Sequence, residues 1–230
     1  MSSQPFTVFV HDLGQTPLQW EDVIVALPPE QGAVCPWLAG TRPGGPPGEP
    51  FTISGAAAGV LTAMDEHGAR TASVVGVGLG GTVALQAAAL DPERVERVIV
   101  LSGVAQPSRR ALAAQRATVR LIPASSWAAR NIDKDRLLAA LQQQALDSTA
   151  DSLDHVDAPV LLVAGEHDRA GCGQAAVLAG TLRHAEVRIL PGADRDLPRT
   201  AAAAVCEIVY GVAPPPDPFA SLDFEADDEP

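Results

Sequence analysis

Residues 73–86 admit very few folds. Ser73-Val74-Val75-Gly76-Val77 is a short run of β-branched residues, Gly78-Leu79-Gly80-Gly81 turns at once, and Thr82-Val83-Ala84-Leu85-Gln86 continues as a helix. A buried strand that hands over to a helix within so few residues needs small side chains where the two backbones approach. The spacing Gly76-Val77-Gly78-Leu79-Gly80 is that of G-x-S-x-G, the strained strand-to-helix turn that holds a serine clear of the sheet. Glycine stands where the serine belongs, so the frame of the turn is kept and its attacking oxygen is gone.

Around this turn the chain alternates short strands with helices. Strand signals fall at 6–10, 33–35, 97–102, 159–164 and 185–190. Helical spacing falls at 17–27, from Thr52 or Ser54 to about His67, from the turn to about Asp91, and at 174–182 and 197–210. The segment 39–50, with four glycines and four prolines, is a loop. Alternation of this kind predicts an α/β fold, a mostly parallel sheet of about six strands with helices on both faces. Residues 105–155 change character and read as three short helices inserted as a cap. The core is therefore 1–104 with 156–212, and 213–230 is an acidic tail expected to be disordered.

Composition narrows the classes. The 230 residues are 47% hydrophobic, enough for one good core. The net charge of −12 argues against nucleic acid and anionic membranes as partners. Three cysteines without C-x-x-C spacing and no long apolar stretch fit a reducing, cytoplasmic setting. No His, Cys, Asp and Glu spacing suggests a metal site, and no cofactor motif is present. Half of the negative charge lies in the tail, where Phe219, Leu222 and Phe224 sit among acids. That tail either solubilises the protein or docks on a protein partner.

Four segments together resemble the α/β-hydrolase superfamily over roughly residues 5–210, with a short helical cap. His11-Asp12-Leu13-Gly14 is similar to the family's H-G-x-G loop, and 76–81 to its nucleophile elbow. Gly165-Glu166-His167-Asp168 is similar to the turn that carries the acid, and 190–198 to the turn that carries the histidine. The resemblance assigns Gly78 to the nucleophile's place, Asp168 to the acid's and Arg195 to the histidine's. It also assigns the N–H groups of Leu13 and Leu79 to the oxyanion hole, with Asp12 where a glycine is usual.

Carried over in this way, Ser-His-Asp chemistry does not survive. Glycine offers no nucleophile, and arginine cannot serve as a base because its pKa exceeds ~12. Loss of the nucleophile alone costs about a million-fold in a comparable hydrolase. Asp12 is expected to repel negative charge developing in the hole. Arg195 and Asp168 are expected to form a charge-assisted pair in place of the histidine–aspartate bond.

Three functional readings follow, the last a purely structural partner subunit whose capped pocket is closed. One is a pseudoenzyme with a degenerate triad, binding a small molecule in its capped pocket or a protein, with Asp12, Leu13, Gly78, Leu79, Asp168 and Arg195 lining the site. The alternative is an active enzyme, either a weak esterase or a lyase or isomerase using Asp12 and Asp168. His11 reads as a structural hydrogen-bonder, and Cys172, Trp37 and Trp127 as packing.

Overall fold

The computed structural model describes residues 6–28, 30–46, 50–103, 109–144, 146 and 150–211. The acidic tail 213–230 lies outside them, as do 104–108 at the start of the expected cap. In chain order the elements are β1 (Phe6–Val10), α1 (Glu21–Val25), β2 (Gly32–Val34), α2 (Ile53–Glu66), β3 (Ala72–Val77), α3 (Leu79–Leu90) and β4 (Val95–Leu101). Four helices follow: α4 (Arg109–Leu121), α5 (Ala124–Ala128), α6 (Lys134–Gln144) and α7 (Ala150–Leu153). The chain then returns through β5 (Val160–Gly165), α8 (Arg169–Thr181), β6 (Ala185–Leu190), α9 (Leu197–Thr200) and α10 (Ala202–Tyr210).

The six strands form one sheet in the order β2-β1-β3-β4-β5-β6, with every neighbouring pair parallel. Strand alternation divides the core into two layers. Val8, Val10, Val74, Val98, Val100 and Leu162 pack with α2, α3 and the inserted helices. Phe9, Val75, Val77, Ile99, Leu101 and Val163 face the other way, onto Trp20, Val23, Leu197, Val205 and Val209. A central parallel sheet buried on both faces is what continuous apolar runs specify.

Local chemistry explains most element ends. Thr52 caps α2, its Oγ1 accepting from the N–H of Gly55 at 2.9 Å. Asp168 caps α8 in the same way through Gly171, 2.9 Å away, so this helix begins at Arg169 and not at the expected 174. The single helix expected over 197–210 is two, because Ala201 at φ −141° and ψ 35° breaks it. The inserted segment holds a fourth helix, α7, which the periodicity did not suggest.

This insertion is tied to the loops that follow β1 and β2. Arg136 of α6 donates to the carbonyls of Gly40, Gly45 and Pro46 at 3.2, 2.6 and 2.9 Å, gathering the proline-rich loop beneath one guanidinium. Leu137 closes over Gly14. On α7, Ser152 donates to Gln86 of α3 at 2.7 Å.

Two buried contacts hold the turns at the carboxyl ends of the strands. Gly80 lies so close to β1 that a Cβ there would stand 2.2 Å from the Val10 carbonyl oxygen. Gly80→Ala is expected to cost about 3 kcal/mol, roughly 6–12 °C in Tm, read by thermal denaturation.

His11, 1% exposed, accepts from the Leu38 N–H at Nε2 (3.3 Å), which leaves Nδ1 to donate to the Asp12 carbonyl at 2.9 Å. Its ring also meets Trp37 edge-on. Burial pulls the imidazole down to about 4, against a smaller upward effect of the Asp12 carbonyl. The unfolded chain therefore takes up a proton near pH 6.5 that the native state refuses until about pH 4. Stability is accordingly expected to fall between those values on acidification, by on the order of 3 kcal/mol from this group. His11→Gln should flatten that stretch of a urea-denaturation pH profile.

Candidate functional site

The site lies where the loop after β1 meets the turn between β3 and α3. Gly78 takes φ 56° and ψ −119°, a backbone that side-chain-bearing residues enter only under strain. Its N–H donates to the Leu101 carbonyl at 3.0 Å, and its own carbonyl accepts from Gly81 at 3.2 Å. The turn is thus fixed between the adjacent strand β4 and the first turn of α3. Its geometry is that of the elbow the sequence pattern implies.

Asp12 fills this elbow. Its Oδ1 accepts from the N–H of Leu79 at 2.8 Å and from the N–H of Leu13 at 2.9 Å. These are the two donors that the family resemblance assigns to the oxyanion hole, and both point at one oxygen as expected. The oxygen they hold belongs to the protein itself. A Cβ built on Gly78 would lie 2.4 Å from the Asp12 carboxyl carbon, so the carboxylate also occupies the space of any side chain at the nucleophile's position. Sequence reasoning placed Asp12 beside the hole as a repulsive neighbour; the structure places its carboxylate in it.

The Asp12 main chain is fixed by a relay. Its N–H donates to Gln19 Oε1 at 2.9 Å, and Gln19 Nε2 donates to Asp196 Oδ1 at 3.2 Å. Burial raises the Asp12 pKa and Asp196 raises it further, while the Leu79 N–H, the Arg195 charge and the Leu13 N–H pull it down. Gln19 and Asp196 were not foreseen from the sequence. Helical spacing around Trp20 marks Gln19 only as a turn residue, and Asp196 stood one place beyond the position that the motif singled out.

The expected pair between Arg195 and Asp168 does not form. Arg195 is exposed on its turn, and no ion pair joins it to Asp168 among the described residues. Its charge acts on Asp12 instead. Asp168, 8% exposed, turns inward to cap α8 through Oδ1, and its Oδ2 is buried without a hydrogen-bond partner. The reason is local. The acid turn runs directly into a helix whose first N–H groups need an acceptor, and Asp168 is the residue at that position. The carboxylate whose charge acts on Asp12 is Asp196, which also holds Gln19 against the Asp12 main-chain N–H, and not Asp168. Of the six expected site residues, Asp12, Leu13, Gly78 and Leu79 come together in one cluster, Arg195 acts on it through its charge, and Asp168 serves the helix end.

Other side chains have bland roles. Cys172 directs its Sγ to the Gly165 carbonyl at 3.4 Å, away from the elbow. Trp127 is buried in the core with Arg130 over its ring. Trp37, Leu13, Gly14 and Leu137 border a cavity of about 10 Å³ under α6, room for a single water. Ser102, 1% exposed at the end of β4, has the unusual φ of 46° and an Oγ without a partner. It adjoins the elbow through the strand pairing but faces no described imidazole. No group of three or more His, Cys, Asp or Glu among the described residues could hold a metal ion. No described helix is long and apolar enough to cross a membrane.

Comparison with known proteins agrees with this geometry at the level of fold. The enol-lactonase from Burkholderia xenovorans LB400 superposes with a TM-score of 0.78 at 20% identity, over 90% of each chain. A thermophilic esterase from Thermogutta terrifontis gives 0.75 at 17% identity, over 90% of this chain and 88% of that one. A hydrolase from Pseudomonas aeruginosa PA01 gives 0.72 at 18% identity, over 86% and 85%. The model of the alpha/beta hydrolase family matches residues 7–215. With the six-stranded parallel sheet, the glycine elbow and the paired N–H groups all in place, the chain belongs to the alpha/beta hydrolase family.

Proposed function

We infer that this chain is a non-catalytic member of its family, a binding module whose acyl-transfer site is closed from within. One observation carries the reading: the Asp12 carboxylate accepts both hydrogen bonds of the hole and stands where a nucleophile would stand. An oxyanion hole works by offering unpaired donors to charge that develops during the reaction. Donors already satisfied by a fixed carboxylate offer a tetrahedral intermediate nothing, and a second negative charge beside the first is repelled. The elbow supplies no oxygen to attack with. Arg195, in the place the resemblance gives to the histidine, offers donors only and no base. What is retained is a polar surface where the exposed Arg195 and the half-buried Asp196 flank the Asp12 loop, a place for a small polar molecule to rest.

A second reading is favoured by the company the fold keeps, an enol-lactonase and esterases among its structural neighbours. In it the chain is an active enzyme and Asp12 is the acting group. A buried carboxylate whose pKa is raised is a better proton acceptor than an exposed one. The second carboxylate acting on it would then be Asp196, through its charge, in place of Asp168.

Activated p-nitrophenyl esters separate the two. The binding reading expects no turnover by the wild type and recovery of turnover in Gly78→Ser combined with Asp12→Gly and Arg195→His. Gly78→Ser alone should stay inactive and lose stability, because its Cβ would meet the Asp12 carboxylate. Turnover by the wild type that disappears in Asp12→Asn would establish the second reading instead.

The seat of Asp12 can be checked without a substrate. Because burial raises its pKa, the charged carboxylate costs the native state stability as pH rises through the folded pKa. Asp12→Asn keeps an oxygen for both N–H groups and removes that charge. It should raise Tm at pH 8, with the gain shrinking as the pH is lowered. An unchanged or lower Tm at pH 8 would show that the carboxylate is not desolvated there.

A further inference from the structure

β6 is an open edge. It is last in the sheet, and Glu186, Val187, Arg188 and Ile189 are all exposed, Val187 and Ile189 at 44% and 42%. Long edges in monomers are normally blunted by proline, a bulge or charged side chains; the charges of β6, Glu186 and Arg188, are of opposite sign and so able to pair with a second copy. β6 has no proline, and it pairs with β5 without a break from Ala185 to Leu190.

The ladder shows which groups are free. The Val160 N–H donates to His184 and the Glu166 N–H to Leu190, so the even-numbered carbonyls of β6 face β5. In a parallel pair the alternate residues turn both their N–H and C=O the other way. Ala185, Val187 and Ile189 therefore present unpaired donors and acceptors along the outer edge.

We propose that this edge is the docking surface for a second copy of the same chain, antiparallel about a two-fold axis at Val187, giving a continuous twelve-stranded sheet across the dimer. Register follows from the sequence. Only outward-turned residues can form hydrogen-bonded pairs across the axis, which leaves axes centred on residue 186, 187 or 188. An axis at Glu186 sets that residue against its own copy, and an axis at Arg188 does the same for Arg188. Like charges directly opposite are unfavourable. An axis at Val187 sets Glu186 against Arg188 twice on one face of the sheet. On the other face it brings Val187 against Val187 and Ala185 against Ile189, covering the exposed aliphatic side chains. The strand is self-complementary in charge, in apolar pattern and in backbone bonding at this one register. Strand addition of this kind takes its affinity from the main chain and its selectivity from the alternate side chains.

Sedimentation of the full-length protein tests this. The wild type should sediment at twice its 23.8 kDa mass. Glu186→Arg and Arg188→Glu should each weaken association by at least about tenfold, since each replaces two opposite-charge pairs by two like-charge pairs. The double variant Glu186→Arg/Arg188→Glu should restore it, because the exchange keeps every pair complementary. Val187→Pro, which removes an outward N–H, should be monomeric with little change in Tm. A wild type that is monomeric at about 0.1 mM, a concentration well above a micromolar Kd, overturns the proposal. So does a dimer indifferent to all four variants, which would have to use another face.

Discussion

Everything distinctive about this protein hangs on one carboxylate oxygen and the two backbone N–H groups that hold it. Oδ1 of Asp12 takes bonds from Leu13 and Leu79, and by doing so joins the loop after β1 to the start of α3. Charge-assisted bonds to backbone N–H are shorter and stronger than neutral ones, and here they are made where α3 begins. A helix N-terminus favours negative charge. The pair of donors that the family resemblance assigns to a reacting oxyanion thus holds a side-chain oxygen of the protein itself.

That substitution works only because the surrounding backbone is over-determined. Gly78 can hold its positive φ because it lacks a side chain, and the missing side chain leaves the space the carboxylate fills. Gly80 lets α3 settle against β1, which brings the Leu79 N–H within reach of a residue on the next loop. His11 pins the same loop from the other side by bonding Leu38, and Gln19 steadies the Asp12 amide. Removing any one of these would move the hole relative to the carboxylate by a fraction of an ångström, which is all that separates a bond from a collision at these distances.

The sheet was legible in the sequence because parallel strands buried on both faces leave β-branched runs that nothing else explains. Residues 73–77, 97–102 and 159–164 are of this kind, and their order with intervening helices fixed the architecture. The elbow was legible because glycine spacing records backbone geometry directly. What was not legible depends on where side chains point. Asp168 and Arg195 look like partners when aligned with a motif, yet one is turned inward by a helix end in need of an acceptor and the other stands exposed on a turn. Asp12 reads as a repulsive neighbour until its χ angles place it inside the hole. The early start of α8 was missed for the same reason, since its cap is the residue that the motif had already claimed as an acid. β6 sets Glu186 and Arg188 between its aliphatic residues where its neighbour β5 runs continuously apolar, and the strand order shows that it ends the sheet.

Positions 12 and 78 are best understood as one change. The two N–H groups of the hole, left without an acceptor wherever water could not follow, would cost about 1–3 kcal/mol for each buried donor unpaired. Asp12 removes that cost, and it can do so only if residue 78 has no Cβ. Conversely, glycine at 78 without a filling side chain at 12 would leave a void beside a strained turn. The two substitutions stabilise one another, so a family fold that ordinarily keeps its hole empty for a substrate can here settle into a ground state with every donor at the elbow satisfied. On the non-catalytic reading, such a site satisfies its donors at rest instead of holding them ready for charge that appears only during reaction.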